Sequence, residues 1–312
     1  MSAIAQQRVN KRVVGDNVWL AHNAQPGNEL LAKFQPRKLD YEVLPSEEAV
    51  GLAMFEEIEA AANSKAGELV VIILGGRGAQ ALHKLLGNFA KTNEKDSLLQ
   101  RLHIFTQDAL APLRMNNALS FVRDFERLLG EAFFKKVLSF NTIKTDTDDL
   151  EAELARYVDQ LESLGGIDLF FLGLGPEAGG ASHLAYIKPG SGAGINDVAG
   201  MIGISPAILE HHITKFKAGG SQISEADELE CRAAKRILTL GPAAILGARR
   251  IVQSIVDAST APGKRASYRR LLETEIASDA AVREKQLDEN PGLWLRLHDS
   301  VRSLILADVL ES

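Results

Sequence analysis

The sequence Leu69-Val-Val-Ile-Ile-Leu74 runs directly into Gly75-Gly76-Arg77-Gly78. A short apolar run rich in β-branched residues is typical of a strand that is buried on both faces of a parallel sheet. The glycines end that strand, and apolar residues then recur at helical spacing between 82 and 89. This succession of strand, glycine loop and helix predicts an α/β fold.

The same alternation continues along the rest of the chain. The predicted strands are 102–105, 167–174, 201–204, 236–240, 251–256 and 303–307, and the predicted helices begin near 46 and cover about 119–129, 150–161 and 266–274. We therefore predict a doubly wound, mostly parallel α/β sheet with helices on both faces, within a single domain over 41–312. Residues 1–40 are polar and show no sustained period, so we expect an arm that wraps the domain or extends to a partner.

Composition excludes several classes of protein. The chain has 312 residues, with 35 basic and 41 acidic side chains and a net charge of −6. Because no basic stripe is present, nucleic acid is not expected as a partner. The single cysteine, Cys231, excludes a disulfide framework and a thiolate metal cluster. No apolar run approaches the roughly 20 residues of a membrane span, and the first residues lack the apolar centre of a signal peptide. We expect a cytoplasmic protein that does not enter the membrane.

The loops that follow strands are the candidate ligand sites, because doubly wound sheets bind ligands at the carboxyl ends of their strands. Gly75, Gly76 and Gly78 would let the backbone approach a phosphate, and Arg77 could donate two hydrogen bonds to it. A tight turn with an exposed arginine explains these residues equally well. The spacing from Gly76 to Ala81 also fits a loose dinucleotide fingerprint, but no acidic residue follows at the usual distance of about 20 residues. Dinucleotide binding is therefore the weaker alternative.

Asp108 comes just after the predicted strand 102–105. Partial burial at this place would raise its pKa towards a range useful for removing a proton from carbon. An aspartate after a strand more often caps the next helix. Its position in the sequence does not decide between these two roles.

The loop 172–192 contains six glycines and follows the most apolar predicted strand. It holds Gly175, Glu177, His183 and Lys188, and His183 is the only one of the seven histidines that falls in a candidate ligand loop. So many glycines indicate a backbone shaped for close contact with a ligand. His183 is accordingly a candidate catalytic residue, with a purely structural histidine as the alternative.

Together these segments resemble the glucosamine/galactosamine-6-phosphate isomerase family, which includes glucosamine-6-phosphate deaminases and 6-phosphogluconolactonases. The resemblance covers about 41–308. Its strongest parts are 183–191, HLAYIKPGS, which is similar to the deaminases' H-I-A-F-N-E-P-x-S, and 165–176, which is similar to G-G-I-D-L-x-L-x-G-x-G. The weaker matches, in the same order along the chain, are Phe105-Thr-Gln-Asp108 with F-N-M-D, Thr214-Lys215-Phe216 with S-R-F, and Pro262-Gly-Lys264-Arg-Ala266 with T-G-x-x-K-A.

The resemblance implies roles for these residues. Asp108 would carry a proton between adjacent sugar carbons, and His183 would assist opening of the sugar ring. Lys215 and Lys264 of the matched segments would hold the phosphate. We expect the glycine loop to contribute as well, through Arg77 and the backbone of Gly75, Gly76 and Gly78, although it lacks the Ser/Thr that the family has in this turn. No metal or organic cofactor is expected, and a homo-oligomer is expected.

The sequence departs from the family pattern beside His183. The deaminases have an aspartate two residues before the loop histidine and a glutamate five residues after it, where this chain has Ala181 and Lys188. A lysine beside an imidazole disfavours its protonation, so we expect an altered acid–base apparatus. Glu177 could take the place of the aspartate in the lactonases' G-P-D-G-H motif.

These observations favour an enzyme that acts on a sugar phosphate, as an aldose–ketose isomerase or a deaminase. A lactone hydrolase of the 6-phosphogluconolactonase type is the alternative within catalysis. A non-catalytic sugar-phosphate sensor is the alternative outside it, because two family carboxylates are replaced.

Overall fold

The computed structural model describes residues 9–22 and 27–311. The strands are β1 (Val9–Val14), β2 (Asn17–His22), β3 (Tyr41–Leu44), β4 (Leu69–Ile73), β5 (Leu102–Thr106), β6 (Asp108–Ala111), β7 (Ser139–Asn141), β8 (Leu169–Leu172), β9 (Gly175–Pro176), β10 (Ser182–His183), β11 (Asp197–Gly203), β12 (Arg236–Leu240), β13 (Arg250–Ile255) and β14 (Val301–Leu306). The helices are α1 (Gly27–Leu31), α2 (Glu47–Ser64), α3 (Gln80–Thr92), α4 (Asp96–Leu99), α5 (Phe121–Lys136), α6 (Leu150–Ser163), α7 (Pro206–Ala218), α8 (Glu225–Arg232), α9 (Pro242–Leu246), α10 (Gly263–Glu273) and α11 (Ala280–Glu289). Short 3-10 helices cover Arg77–Ala79, Ala178–Gly180, Pro291–Leu297 and Ala307–Leu310.

Within the described residues, seven strands form a parallel sheet in the order β3-β14-β13-β8-β4-β5-β7. After the edge strand β3, the chain enters the centre of the sheet at β4, adds β5 and β7 on one side, and then adds β8, β13 and β14 on the other. The direction of winding therefore reverses between β4 and β8. The predicted doubly wound α/β fold is confirmed, and the reversal fixes where a ligand crevice is expected.

Local sequence explains the central elements of the parallel sheet. All five side chains of β4 are buried, as expected for a strand covered on both faces. Helix α2 begins where Ser46 accepts a hydrogen bond from the backbone N–H of Ala49, and Glu47 and Glu48 lie in its first turn. The helix packs against β3, β8, β13 and β14. These contacts bury one side of the sheet.

A second, antiparallel sheet was not expected from the sequence. In the part of the chain that the structure describes, its order is β1-β2-β11-β12-β6. Strands 201–204 and 236–240, which the sequence analysis assigned to the main sheet, belong here. The chain passes from the parallel sheet to this one between β5 and β6, across the single residue Gln107. The two sheets therefore meet beside Asp108.

The N-terminal segment, expected to be an arm, includes a β-hairpin at the edge of the antiparallel sheet. Trp19 of β2 is fully buried and its ring lies against Gly200 of β11, where an added Cβ would come within 2.4 Å of the ring. The Trp19 indole N–H donates to the carbonyl of Ser191 at 3.2 Å. Arg12 forms an ion pair with the buried Asp197. Residues 1–8 and 23–26 of the expected arm lie outside the described residues.

Two findings bear on what composition indicated about the single cysteine and about membrane spans. Cys231 is a free, buried thiol. Among the described residues, no helix combines the length and the apolar character required to cross a bilayer.

Candidate active site

A cavity lies at the carboxyl ends of β4, β8 and β13, where the winding of the parallel sheet reverses. Several side chains and glycines from the sequence analysis share this cavity. Those that line it are Gly75, Gly78, Asp108, Gly175, His183, Lys215 and Lys264. Segments that are far apart in the sequence thus bring an acid, a histidine and two lysines around one space.

Asp108 is the first residue of β6 and lies where the chain leaves one sheet for the other. It is only 3% exposed, and its Oδ2 accepts a hydrogen bond of 2.5 Å from Nε2 of Gln107. Burial raises the pKa of Asp108 to about 6, although Lys215 and Gln107 oppose the shift. A carboxylate with a pKa near neutrality is suited to take up and return a proton. Asp108 begins a strand, so the role of a helix cap does not describe it.

His183 and Glu177 face each other across a short two-stranded ribbon. β9 and β10 pair antiparallel, with His183 opposite Gly175. Nδ1 of His183 lies 3.3 Å from Oε1 of Glu177, and that same oxygen accepts a hydrogen bond of 2.7 Å from the Ser205 hydroxyl. This contact does not have the geometry of a hydrogen bond, so Glu177 acts on the ring through its charge, and it does not line the cavity. Ala181 and Lys188 stand where the deaminases have carboxylates, and Glu177 supplies the carboxylate beside His183 in this chain.

The ionisation of this pair follows from its surroundings. Burial lowers the pKa of His183, although Glu177 opposes the shift, and the charges of Lys215 and Lys264 lower it further. The contacts with His183 and Ser205 hold the pKa of Glu177 below its ordinary value, although burial opposes them. A neutral imidazole beside a carboxylate can accept a proton from a substrate hydroxyl.

Lys188 does not act on His183 as the sequence analysis expected. Its positive charge helps to lower the pKa of Glu177, and its ammonium nitrogen lies near Gly203 of β11. The cations that influence the His183 ring are Lys215 and Lys264. The expected contact between Lys188 and the imidazole is thereby corrected, because the loop carries this side chain away from the cavity.

Lys215 extends from α7 into the cavity between two aromatic rings. Its Nζ lies 4.9 Å from the centre of the Phe121 ring and 4.8 Å from that of Tyr186. Burial lowers the pKa of Lys215 to about 8, with Asp108 opposing the shift and Lys264 adding to it. Cation–π contacts hold a positive charge without neutralising it. Lys215 therefore keeps its charge available to an anion.

Tyr186, one of the two rings beside the Lys215 ammonium, has a left-handed backbone conformation with φ at 56°. Its hydroxyl donates at 2.7 Å to Nδ1 of His212, whose Nε2 donates at 2.7 Å to the carbonyl of Leu119. Burial lowers the pKa of His212 to about 3, so this ring is neutral and can accept the tyrosine proton. Left-handed backbone at a non-glycine residue is costly and clusters at ligand sites.

The glycine loop after β4 is less open to an anion than the sequence suggested. Arg77 forms an ion pair of 2.6 Å with Glu47 and does not line the cavity. The backbone N–H of Gly76 donates to Oδ2 of Asp124 at 3.3 Å. The sequence analysis expected the Gly76 N–H and the Arg77 side chain to be available to a phosphate. The structure corrects this, because Asp124 accepts the hydrogen bond of the Gly76 N–H and Glu47 forms an ion pair with Arg77.

Lys264 lies in the first turn of α10 and is buried beside Asp257. Its Nζ lies 2.5 Å from Oδ1 of Asp257, and both residues line the cavity. The hydroxyl of Ser254, at the end of β13, donates to the carbonyl of Gly78 at 2.7 Å. The ends of β4 and β13 are thus tied together below the cavity.

Sequence reasoning missed Tyr186, Asp257 and His211 among the cavity residues. Asp257 follows the predicted strand 251–256 and so carried the same signal as Asp108, an acid just past a buried strand. His211 has no comparable signal. Across 9–22 and 27–311, no three His, Cys, Asp or Glu side chains come together as metal ligands.

Comparisons with known proteins agree with this geometry. No family model matches the chain. It is 45% identical over 51 residues to the glucosamine-6-phosphate deaminase of Bacteroides thetaiotaomicron, covering 16% of this chain and 17% of that protein. It is 29% identical over 136 residues to the deaminase of Dictyostelium discoideum, covering 41% and 47%. It is 26% identical over 185 residues to that of Staphylococcus aureus strain JH9, covering 58% and 64%. The alignments thus span less than two thirds of these curated relatives.

Solved structures match over most of the chain. A monomeric glucosamine-6-phosphate deaminase superposes with a TM-score of 0.66 at 21% identity, covering 88% of this chain and all (100%) of that one. The 6-phosphogluconolactonase of Leishmania guyanensis superposes with a TM-score of 0.61 at 16% identity, covering 89% and 99%. The chain therefore has the fold shared by glucosamine-6-phosphate deaminases and 6-phosphogluconolactonases, and its sequence resembles the deaminases over part of its length.

Proposed function

We propose that this chain is a sugar-phosphate enzyme that acts as a deaminase or aldose–ketose isomerase on a hexose phosphate. The observation that carries the proposal is the meeting of Asp108, His183, Lys215 and Lys264 in one cavity. The curated relatives are named as deaminases of glucosamine 6-phosphate, which supports the choice of substrate.

In the proposed reaction, the lysines hold the phosphate and so fix the other end of the sugar. His183 takes the proton of the C1 hydroxyl and delivers one to the ring oxygen, which opens the ring to the aldehyde. Asp108 removes the proton from C2, and the electron pair of that C–H bond forms the C1=C2 double bond of an enolamine. The π pair of the C1 carbonyl moves to its oxygen, which takes a proton from solvent and becomes a hydroxyl. Protonation at C1 gives an iminium at C2, which water hydrolyses to a ketone and ammonia. With a hydroxyl at C2, the same proton transfer gives isomerisation.

The test is ammonia release from glucosamine 6-phosphate, measured beside calorimetry with the same sugar. We expect turnover by the native chain and none by Asp108→Asn. Binding without product in the native chain would favour a sensor. The absence of both binding and turnover would reject a sugar-phosphate function altogether.

Lactone hydrolysis is the second candidate, and the contact between Glu177 and His183 favours it. A histidine oriented by a carboxylate is suited to remove a proton from water, and this reaction requires no step at C2. If the chain is a lactonase, Asp108→Asn will retain much of its turnover of 6-phosphogluconolactone while Glu177→Gln loses it.

We also propose a cytoplasmic location and a homo-oligomer. The unpaired, buried thiol of Cys231 supports a reducing compartment. Tyr41 and Val43 are 45% and 46% exposed on edge strand β3, which supports an apolar contact between copies. Light scattering after size-exclusion chromatography gives the mass in solution, and a monomeric mass rejects the oligomer.

A further inference from the structure

Asp257 is a buried carboxylate inside the cavity that the proposed reaction does not use. Its side chain is 2% exposed and that of Lys264 is 6% exposed, and their charged atoms lie 2.5 Å apart. The backbone carbonyl of Asp257 accepts hydrogen bonds from the N–H groups of Thr260 and Ala261. The turn between β13 and α10 therefore holds this carboxylate at the phosphate end of the cavity.

The positive charges at that end converge on Asp257. Besides its contact with Lys264, it attracts the charges of Lys215 and Arg77. Arg77 is already paired with Glu47, whereas no ion pair is formed by Lys215 within the described residues. One carboxylate thus occupies the position, among basic side chains, that the phosphate of a substrate requires.

We propose that Asp257 is a specificity-determining residue, a resident counter-anion that the substrate's phosphate must displace from Lys264. The proposal rests on the proposed function, since it concerns the same phosphate site. A monoanion that takes the place of the carboxylate beside Lys264 gains no net charge attraction there, because Lys264 loses one singly charged partner as it acquires another. A dianionic phosphate monoester brings a second charge to the lysines and does gain. The site therefore selects phosphate monoesters over carboxylates and phosphodiesters.

The experiment measures binding of methyl phosphate and dimethyl phosphate by calorimetry at pH 7.5, where the first is mainly a dianion and the second a monoanion. We expect the native chain to bind methyl phosphate about tenfold or more tightly than dimethyl phosphate. In Asp257→Asn both should bind more tightly, by a similar factor of about tenfold, because neither probe then has to displace a carboxylate from Lys264. Equal affinity of the native chain for both probes would overturn the proposal, which keeps it testable even if the variant does not fold.

The matched control is Asp168→Asn. Asp168 is also buried and paired with a lysine, Lys65, but it lies away from the cavity. This variant should bind both probes as the native chain does. If Asp257→Asn instead weakens binding or leaves it unchanged, Asp257 serves to position Lys264 and the proposal is rejected.

The two proposals fail in different ways. Tighter binding of both probes by Asp257→Asn with no turnover of any sugar phosphate supports the role of Asp257 and rejects the enzyme. Turnover of glucosamine 6-phosphate with no gain in affinity for either probe in Asp257→Asn supports the enzyme and rejects the counter-anion.

Discussion

Replacing Asp108 with asparagine should stabilise the protein while it abolishes the proposed deamination. Asp108 is buried, and burial raises its pKa from 3.8 to about 6. Each unit of pKa shift corresponds to about 1.4 kcal/mol, so the ionised carboxylate costs about 3 kcal/mol of folding free energy at neutral pH. Asparagine removes that cost and keeps an oxygen that can accept the hydrogen bond from Gln107.

The free energy of unfolding that Asp108→Asn gains over the native chain should increase with pH. The folded state holds the Asp108 proton up to about pH 6, whereas the unfolded chain releases it near 3.8. Between these values the folded state binds more protons, so native stability falls as the pH rises. The advantage of Asp108→Asn should be small at the lower value, grow through this window and reach its full size of about 3 kcal/mol above pH 7.

Urea unfolding of both proteins across this pH range gives the free energies directly. Asp168→Asn is the contrasting control, because Asp168 is equally buried but pairs with Lys65 and accepts from the backbone N–H of Val70. Its removal takes the charged partner from the half-buried Lys65 ammonium and should destabilise the protein at pH 8. The reasoning is refuted if Asp108→Asn is no more stable than the native chain at pH 8, or if its advantage does not increase with pH.

The remaining predictions concern activity. The rate of deamination should rise with pH through about 6 as Asp108 loses its proton and fall through about 8 as Lys215 loses its charge, which a profile of kcat/KM measures. In Gly175→Ala, the new Cβ would lie 1.6 Å from Nε2 of His183, so the ring must move; we expect a loss of about 1–3 kcal/mol in unfolding free energy and of most activity. Glu177→Gln removes the charge that orients His183 and should lower kcat about 10²-fold with a smaller effect on KM.

Each of these predictions has a control and a contrary outcome. A single-limbed pH profile would contradict the assignment of Asp108 and Lys215. Gly27→Ala should be tolerated, because the nearest atom to its new Cβ, on Ile195, is 3.9 Å away. Glu153→Gln changes a buried glutamate outside the cavity, paired with an arginine, and should leave kcat unchanged. An equal loss of kcat in this variant and in Glu177→Gln would show a general effect on stability.

The centre of the parallel sheet was predictable because β4, β5, β8, β13 and β14 are largely apolar runs separated by amphipathic helices. The short edge strands β3 and β7 were not predicted, since neither is a continuous apolar run. The run 69–74 became β4, fully buried, and the glycines after it mark the edge at which ligands bind. The antiparallel sheet was not predictable in the same way. Strand β1 has charged residues between its apolar ones and so shows no continuous apolar run. Strand β11, with which β2 pairs, lies far along the chain.

The candidate site was predictable where a residue's position after a strand determines its place in space. This holds for Asp108 and for Gly75. It fails for Arg77 and Lys188, because their partners are set by the packing of distant segments and the sequence does not reveal an ion pair such as that with Glu47. The contact between Glu177 and His183 depends on the ribbon of β9 and β10, which a sequence with two successive glycines, 179–180, permits but does not prescribe.

The hairpin of β1 and β2 bears on how this protein should be handled in the laboratory. A designer who trims the polar N-terminal segment at residue 41 would remove Trp19 and uncover Gly200 and the whole edge of β11. Unpaired strand edges invite pairing with other chains. The shortened protein should accumulate as insoluble aggregates during expression, whereas an affinity tag fused ahead of Val9 leaves that edge paired.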